Sequence, residues 1–217
     1  MKMMEKRIRK GGLQTAKGFL FELSGGDVSL DFANTVDVRP TSSPKELIPT
    51  FEDLASWGRQ TGLLNTADEA ALRKIAKQNS EKAENTRKLA IEVRECMFQI
   101  FSRVAEGQKV PKDVLKEWNQ IVRRSMTHYE MMRNQEGLSW HLRPEDLELD
   151  SLLWPVVHSA VRLLTGPNAS RIRKCAAPNC DWLFLDTSKR GNRRWCDMTV
   201  CGNRAKARRF YSRKRAK

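Results

Sequence analysis

The 217-residue sequence holds no apolar run approaching the eighteen or so residues needed to cross a bilayer, which excludes a transmembrane helix. Its basic start, Met1 to Gly12, leads into no apolar h-region or small-residue cleavage site, so no secretory leader and a cytoplasmic location are expected. There is no Walker loop, Rossmann glycine fingerprint or Ser-His-Asp set, so an enzyme is not expected. Histidine is scarce: His128, His141 and His158 are scattered, which argues against a second metal site or a catalytic pair. Acid is scarce at both ends. Residues 171–217 carry three acidic against fifteen basic residues, and residues 1–17 carry one against six, in a chain of net charge +14. The stretch between them is slightly acidic, so the basicity belongs to the ends. Lys and Arg concentrated there suit a phosphate-rich partner, because they displace its counterions. Nucleic acid is the first candidate, anionic lipid a distant second, and a merely solvated tail the plain alternative.

Five cysteines sharpen that reading. Cys96 stands beside Met97 and Ile100 in a helical apolar pattern and reads as a small buried hydrophobe. The other four fall as Cys175-x4-Cys180 and Cys196-x4-Cys201 with fifteen residues between the pairs, the pattern of a four-cysteine zinc site; a redox switch or unrelated buried thiols are the alternatives. A segment of this size buries too little of its own surface to fold unaided, and zinc binding would supply folding free energy. Four thiolates close the tetrahedron and leave no position for water, so one structural Zn2+ is expected.

Along the chain, residues 1–17 read as a flexible basic arm, 18–168 as the main domain and 169–217 as the zinc module, with the boundary at 166–171 around Gly166-Pro167-Asn168. A short extended piece precedes Gly25-Gly26, and a helix begins near Val28 with Leu30, Ala33 and Phe32 or Val36 facing inward. Pro40 to Pro49 reads as a loop. Thr50 with Asp53, and Thr66 with Glu69, resemble capping boxes and predict helices over about 51–61 and 67–79. Further helices are expected over about 81–106, 111–124 and 152–164, with a β-hairpin of Met126–Met132 and Leu138–Leu142 between the last two. Trp57, Trp118, Trp140 and Trp154 are expected in the core. Asp31, Asn34, Asp37 and Arg39 form a polar cluster that either caps neighbouring elements or, through Asp31, Asn34 and Arg39, lines a pocket for a small polar effector.

In the zinc module, Trp182–Asp186 and Arg193–Cys196 flank a Gly191-Asn192 turn signal and are expected to pair as a hairpin. After Cys201 the spacing is helical, with Ala207 and Phe210 expected to dock on that hairpin. Arg204, Arg208 and Arg215 project on one side, and Lys206, Arg209 and Arg213 on the next. Arg193 and Arg194 are expected at phosphates, and the early helix nearer base edges.

Cys201-Gly202-Asn203-Arg204, preceded by Arg193-Arg194-Trp195-Cys196 and Phe184-Leu185-Asp186-Thr187-Ser188, resembles the CGNR zinc finger. Gly26-Asp27-x-x-Leu30-Asp31-Phe32-x-Asn34-Thr35-Val36 resembles the opening of the ABATE domain that accompanies it, so the likeness covers nearly the whole chain from about Phe19. The resemblance implies a bacterial transcription regulator with a sensor-like domain of mixed α and β structure and a treble-clef-like zinc module. The expected fold is therefore α+β: a mainly helical N-terminal domain carrying a β-hairpin, then a four-cysteine zinc finger with a basic C-terminal helix. DNA is the expected partner, with a homodimer matching paired half-sites. An RNA-binding or ribosome-associated zinc protein is the second reading, and a small-molecule-binding domain with zinc as a staple the third.

Overall fold

The computed structural model describes residues 11–16, 18–135, 137–143 and 147–215. Within them the chain runs β1 (Gly12–Thr15), β2 (Gly18–Phe21), α1 (Val28–Ala33), β3 (Val36–Asp37), β4 (Lys45–Glu46), α2 (Phe51–Gln60), α3 (Thr66–Gln78), α4 (Ser80–Ala105), α5 (Lys112–Met126), β5 (Tyr129–Asn134), β6 (Gly137–Leu142), α6 (Leu153–Thr165), β7 (Ile172–Lys174), β8 (Leu183–Leu185) and α7 (Asn203–Arg215). The strands form four separate two-stranded antiparallel sheets: β1 with β2, β3 with β4, β5 with β6 and β7 with β8. No helix among the described residues is long and apolar enough to cross a membrane.

The helix starts follow from their capping residues. Thr50 accepts the Asp53 N–H on its hydroxyl while the Asp53 carboxylate accepts the Thr50 N–H, each at 3.2 Å, a reciprocal cap for α2. At α3 the expected Thr66 box does not form. Asn65 caps instead, its Oδ1 accepting the N–H groups of Ala67 and Asp68 at 2.8 and 2.9 Å. The 26-residue α4 is capped by Asn79 and forms the middle of the body. Its Val93, Met97, Ile100 and Phe101 are buried in one core with Leu30 and Phe32 of α1, Trp57 of α2 and Trp154 and Val157 of α6. Cys96 joins that core, with burial pushing its thiol up to about 12.

Several expectations change. Gly12–Thr15, assigned to the basic arm, pairs with Gly18–Phe21 in register, while residues 1–10 and 17 lie outside the described residues. The Pro40–Pro49 loop contains β4, because Glu46 is drawn inward by Arg94, a 2 % exposed guanidinium that donates to both of its carboxylate oxygens at 2.7 Å. Burial alone would push the Glu46 carboxyl up; the Arg94 hydrogen bonds and charge outweigh it and hold the group below its ordinary value. The β5–β6 hairpin starts at Tyr129 because α5 runs on to Met126. Tyr129 and Leu142 at its base pack on the core, but Met131, Leu138 and Trp140 further out are exposed, so Trp140 is not a core residue.

The zinc module is not a separate body. β7 packs on α4, β8 packs on α1, and Trp182, Leu183 and Phe184 are continuous with the main core.

Candidate metal centre and the helix beside it

The first cysteine pair lies in the knuckle between β7 and β8. Cys175 N–H donates to Trp182 O at 2.8 Å, extending the ladder by one step, and Cys180 N–H donates to Ala177 O at 3.1 Å, closing a tight turn. Asp181, in the left-handed region at φ 60°, then turns the chain into β8. The second pair frames the start of α7. Asp197 accepts the Val200 N–H at 2.7 Å and the Thr199 hydroxyl at 2.6 Å, capping a wide turn over Met198–Gly202 that carries Cys201 and leads into the helix. Gly202 sits close against this turn: a Cβ there would lie 2.8 Å from Met198 Sδ.

This geometry brings all four predicted ligands together. The sulfurs of Cys175, Cys180, Cys196 and Cys201 are buried, unpaired in disulfides and within 4.8 Å of one another. Cys180 and Cys196 sulfurs stand 3.6 Å apart, and Cys196 and Cys201 sulfurs 3.7 Å apart. A tetrahedron with Zn–S bonds of about 2.3 Å has edges of about 3.8 Å, so the cluster fits one structural zinc ion. Thiols this close cannot all ionise alone. Hydrogen bonding with Cys175 pushes Cys180 and Cys196 up, while Cys175 is driven down by the thiols around it. A divalent cation at the centre lets all four act as thiolates, and the surplus negative charge lies in a strongly basic module.

The knuckle's partner segment differs from the expected hairpin. β8 pairs with β7, Ile172 opposite Leu185 and Lys174 opposite Leu183, and Arg193–Cys196 is not a strand. Asp186 prevents the ladder. Its Oδ1 accepts the Ser188 N–H and hydroxyl at 2.9 and 2.6 Å, and its Oδ2 accepts the Arg193 N–H at 2.8 Å, which loops the chain between them. Burial raises this carboxyl, but the Ser188 and Arg193 hydrogen bonds prevail and keep it below its ordinary value. Ala176 N–H then donates to Arg194 O at 2.9 Å, tying the returning segment to the knuckle. Asp186 was not among the candidate residues, although an Asp followed two places on by Ser is a local turn signal.

Arg193 is likewise committed inward. Its guanidinium lies 4.5 Å from the Phe184 ring centroid and donates to the Trp195 carbonyl at 2.8 Å and to the Cys196 carbonyl. Arg194 is exposed beside the Trp195 ring. In α7, only Ala205 is buried; Ala207 and Phe210, expected to dock, face solvent, and so do Arg204, Lys206, Arg208, Arg209 and Arg213. The reason is registration: α7 begins at Asn203, and its first turn alone reaches the knuckle, which places Ala205 inward.

The polar cluster near the N-terminus holds the finger to the body. Asn34, 3 % exposed, donates from Nδ2 to Leu183 O and accepts the Leu183 N–H on Oδ1, both at 2.8 Å, so its amide substitutes for a neighbouring strand along β8. Trp182 Nε1 donates to Val36 O at 3.0 Å, and Leu185 N–H to Gly25 O at 2.7 Å. Asp31 accepts the Gly25 N–H at 2.7 Å, and a Cβ at Gly25 would lie 2.9 Å from Asp31 Oδ1. Arg39 pairs with Glu95 at 2.5 Å and lies over the Phe98 ring. Asp31, Asn34 and Arg39 thus serve three different structural contacts. Burial pushes the carboxyls of Asp31 and Glu22 up to about 7.

Two family profiles match the chain. The ABATE profile, described as putative stress-induced transcription regulator, matches residues 26–167, and the CGNR zinc finger profile matches residues 171–214. No curated protein matches the chain.

Proposed function

Because the chain belongs to the ABATE family and carries a CGNR zinc finger, we propose that it is a DNA-binding transcription regulator in which a four-cysteine zinc knuckle presents α7 to duplex DNA. One observation carries this reading: α7 holds seven cations and no acid, and its thirteen residues are exposed apart from Ala205. Cys175, Cys180, Cys196 and Cys201 would hold the zinc ion, which would join the knuckle to the turn before α7 and offset half of their thiolate charge. The chain's own residues do the rest. Asp197 caps the turn before the helix, Asp186 and Arg193 brace the loop beside it, and Asn34 holds β8 to the body. Arg194 and the α7 cations remain available to phosphates.

The test is duplex binding by the zinc-loaded full chain across a salt series. If about five phosphates are neutralised, the logarithm of affinity falls with the logarithm of salt at a slope of about −4 to −5. Replacing Arg204, Arg208 and Arg209 together with Ala lowers that slope by about 3 and abolishes binding at physiological salt, with the body still folded. Unchanged binding by this variant refutes the assignment. Structured RNA would meet the same charge, and tighter binding to RNA than to duplex DNA at one salt concentration makes RNA the partner. The exposed Met131, Leu138 and Trp140 of the β5–β6 hairpin favour pairing of two copies, which paired half-sites would use. Sedimentation of wild type against Trp140→Lys tests this, and a monomeric wild type refutes it.

A further inference from the structure

The seven cations of α7 do not explain Phe210. It is 64 % exposed and meets the ring of Tyr211, itself 63 % exposed, edge-on at a centroid distance of 5.6 Å, so the two aromatics interrupt the basic surface. At about 100° per residue, Ala207, Phe210 and Lys214 share one stripe through i+3 and i+4 spacing, and that stripe lies opposite Ala205, the point at which the helix meets the knuckle. The outermost line of the helix therefore presents a methyl and a phenyl group, with the Lys214 ammonium at its far end. Lys206, Arg209 and Arg213 flank it on one side, Arg204, Arg208 and Arg215 on the other. Between Phe210 and the first row is a recess of about 220 Å³ lined by Lys206, Arg209, Phe210 and Arg213.

We propose that Phe210 is a specificity-determining residue that packs against thymine 5-methyl groups in the major groove, with Ala207 beside it and the two cationic rows reaching the phosphates on either side. The proposal rests on the DNA-binding reading above and deepens it. A major groove about 12 Å wide admits an α-helix, and the thymine methyl is the apolar group that base pairs present there. Cations alone read no sequence, since phosphates are the same everywhere. A phenyl ring at the helix apex has an apolar partner only where thymine stands. The same argument sets DNA apart from RNA. Uracil lacks the methyl, and the deep, narrow A-form major groove is closed to side chains.

The experiment uses the zinc-loaded full chain. Duplexes selected by the wild type from a random pool are resynthesised with deoxyuridine replacing thymidine one position at a time, which removes a methyl and nothing else. The wild type is expected to lose about 4-fold in affinity at one or two positions, the effect of exposing one methyl-sized group. Phe210→Ala, still zinc-bound and still binding duplex through its cations, is expected to show no loss at those positions. Phe210→Leu should retain part of the sensitivity. Equal wild-type affinity for thymidine and deoxyuridine duplexes overturns the proposal, and so does a Phe210→Ala protein as sensitive as the wild type. Phe210-dependent preference for single strands over duplex also overturns it, because the ring would then be stacking on unpaired bases. Absence of any duplex binding at low salt removes the DNA-binding reading itself, a failure distinct from binding that ignores the methyl.

Discussion

Replacing Asn34 with Ala tests the attachment of the finger at its narrowest point. The Asn34 amide makes two buried hydrogen bonds, each 2.8 Å, to the N–H and C=O of Leu183, a residue with no exposed surface. Alanine leaves both backbone groups dry and unpartnered, at about 1–3 kcal/mol each, so the loss should total about 2–6 kcal/mol. That is a large share of the roughly 5–15 kcal/mol by which domains are stable. At a urea dependence of about 2 kcal/mol per molar, the midpoint should fall by about 1–3 M. Trp182, whose Nε1 donates to Val36 O beside the lost contact, is one of the six tryptophans whose fluorescence follows the unfolding. Asn34→Asp sharpens the test: it keeps an acceptor for Leu183 N–H but turns an oxygen toward Leu183 O, and it should destabilise at least as much as alanine. A midpoint shift below about 0.5 M for alanine, or a neutral Asn34→Asp, would refute the idea that this amide acts as a strand for β8.

Three further outcomes are expected. Chelation of zinc under reducing conditions, or Cys196→Ser, should release the Arg193–Cys201 segment and α7, while β7, β8 and the α4-centred core they pack on stay folded; amide protection around Cys196–Cys201 that survives metal removal would contradict the structural role. Glu22 and Asp31, whose carboxyls are raised to about 7 in the folded protein, bind protons more tightly folded than unfolded, so stability should fall as pH rises from the ordinary carboxylate range towards 7. Urea midpoints of zinc-saturated protein at about pH 6 and about pH 7.5 should differ less in Glu22→Gln/Asp31→Asn than in wild type, and an unchanged difference would show that these groups do not titrate with folding. Glu46→Ala strands the buried Arg94 guanidinium with Glu95 and Thr35 as remaining partners and should cost about 2–3 kcal/mol by calorimetry, whereas a change below about 0.5 kcal/mol would make the pair dispensable.

Features set by local chemistry were legible in the sequence, and those set by distant partners were not. The four zinc ligands announce themselves because two short cysteine pairs suit one tetrahedral ion. The Thr50–Asp53 cap and the apolar face of α4 are equally local. The β7–β8 pairing was missed because Ile172-Arg173-Lys174 is too short to show alternation, while Arg193–Cys196 beside a Gly-Asn turn signal looks like a strand. What decides between them is the Asp186 carboxylate, which takes up the Arg193 N–H that a ladder would need. Asn34 stood out as polar on an apolar helix, but its partner lies 149 residues away and no spacing rule reaches so far. The inward residue of α7 is Ala205 and not Ala207 because the wide turn at Met198–Gly202 shifts the helix phase.

The Asn34–Leu183 clamp has a mechanical consequence. A finger fastened along α1 has no slack linker to absorb a displacement of the body, so α7, about 20 Å long, moves as a rigid lever pivoting at the knuckle. A tilt of about 5° at that pivot carries the helix tip by about 2 Å, enough to break every hydrogen bond made at its far end. Any signal that repacks α1 against α4 would therefore be felt at the tip without the zinc site itself changing shape.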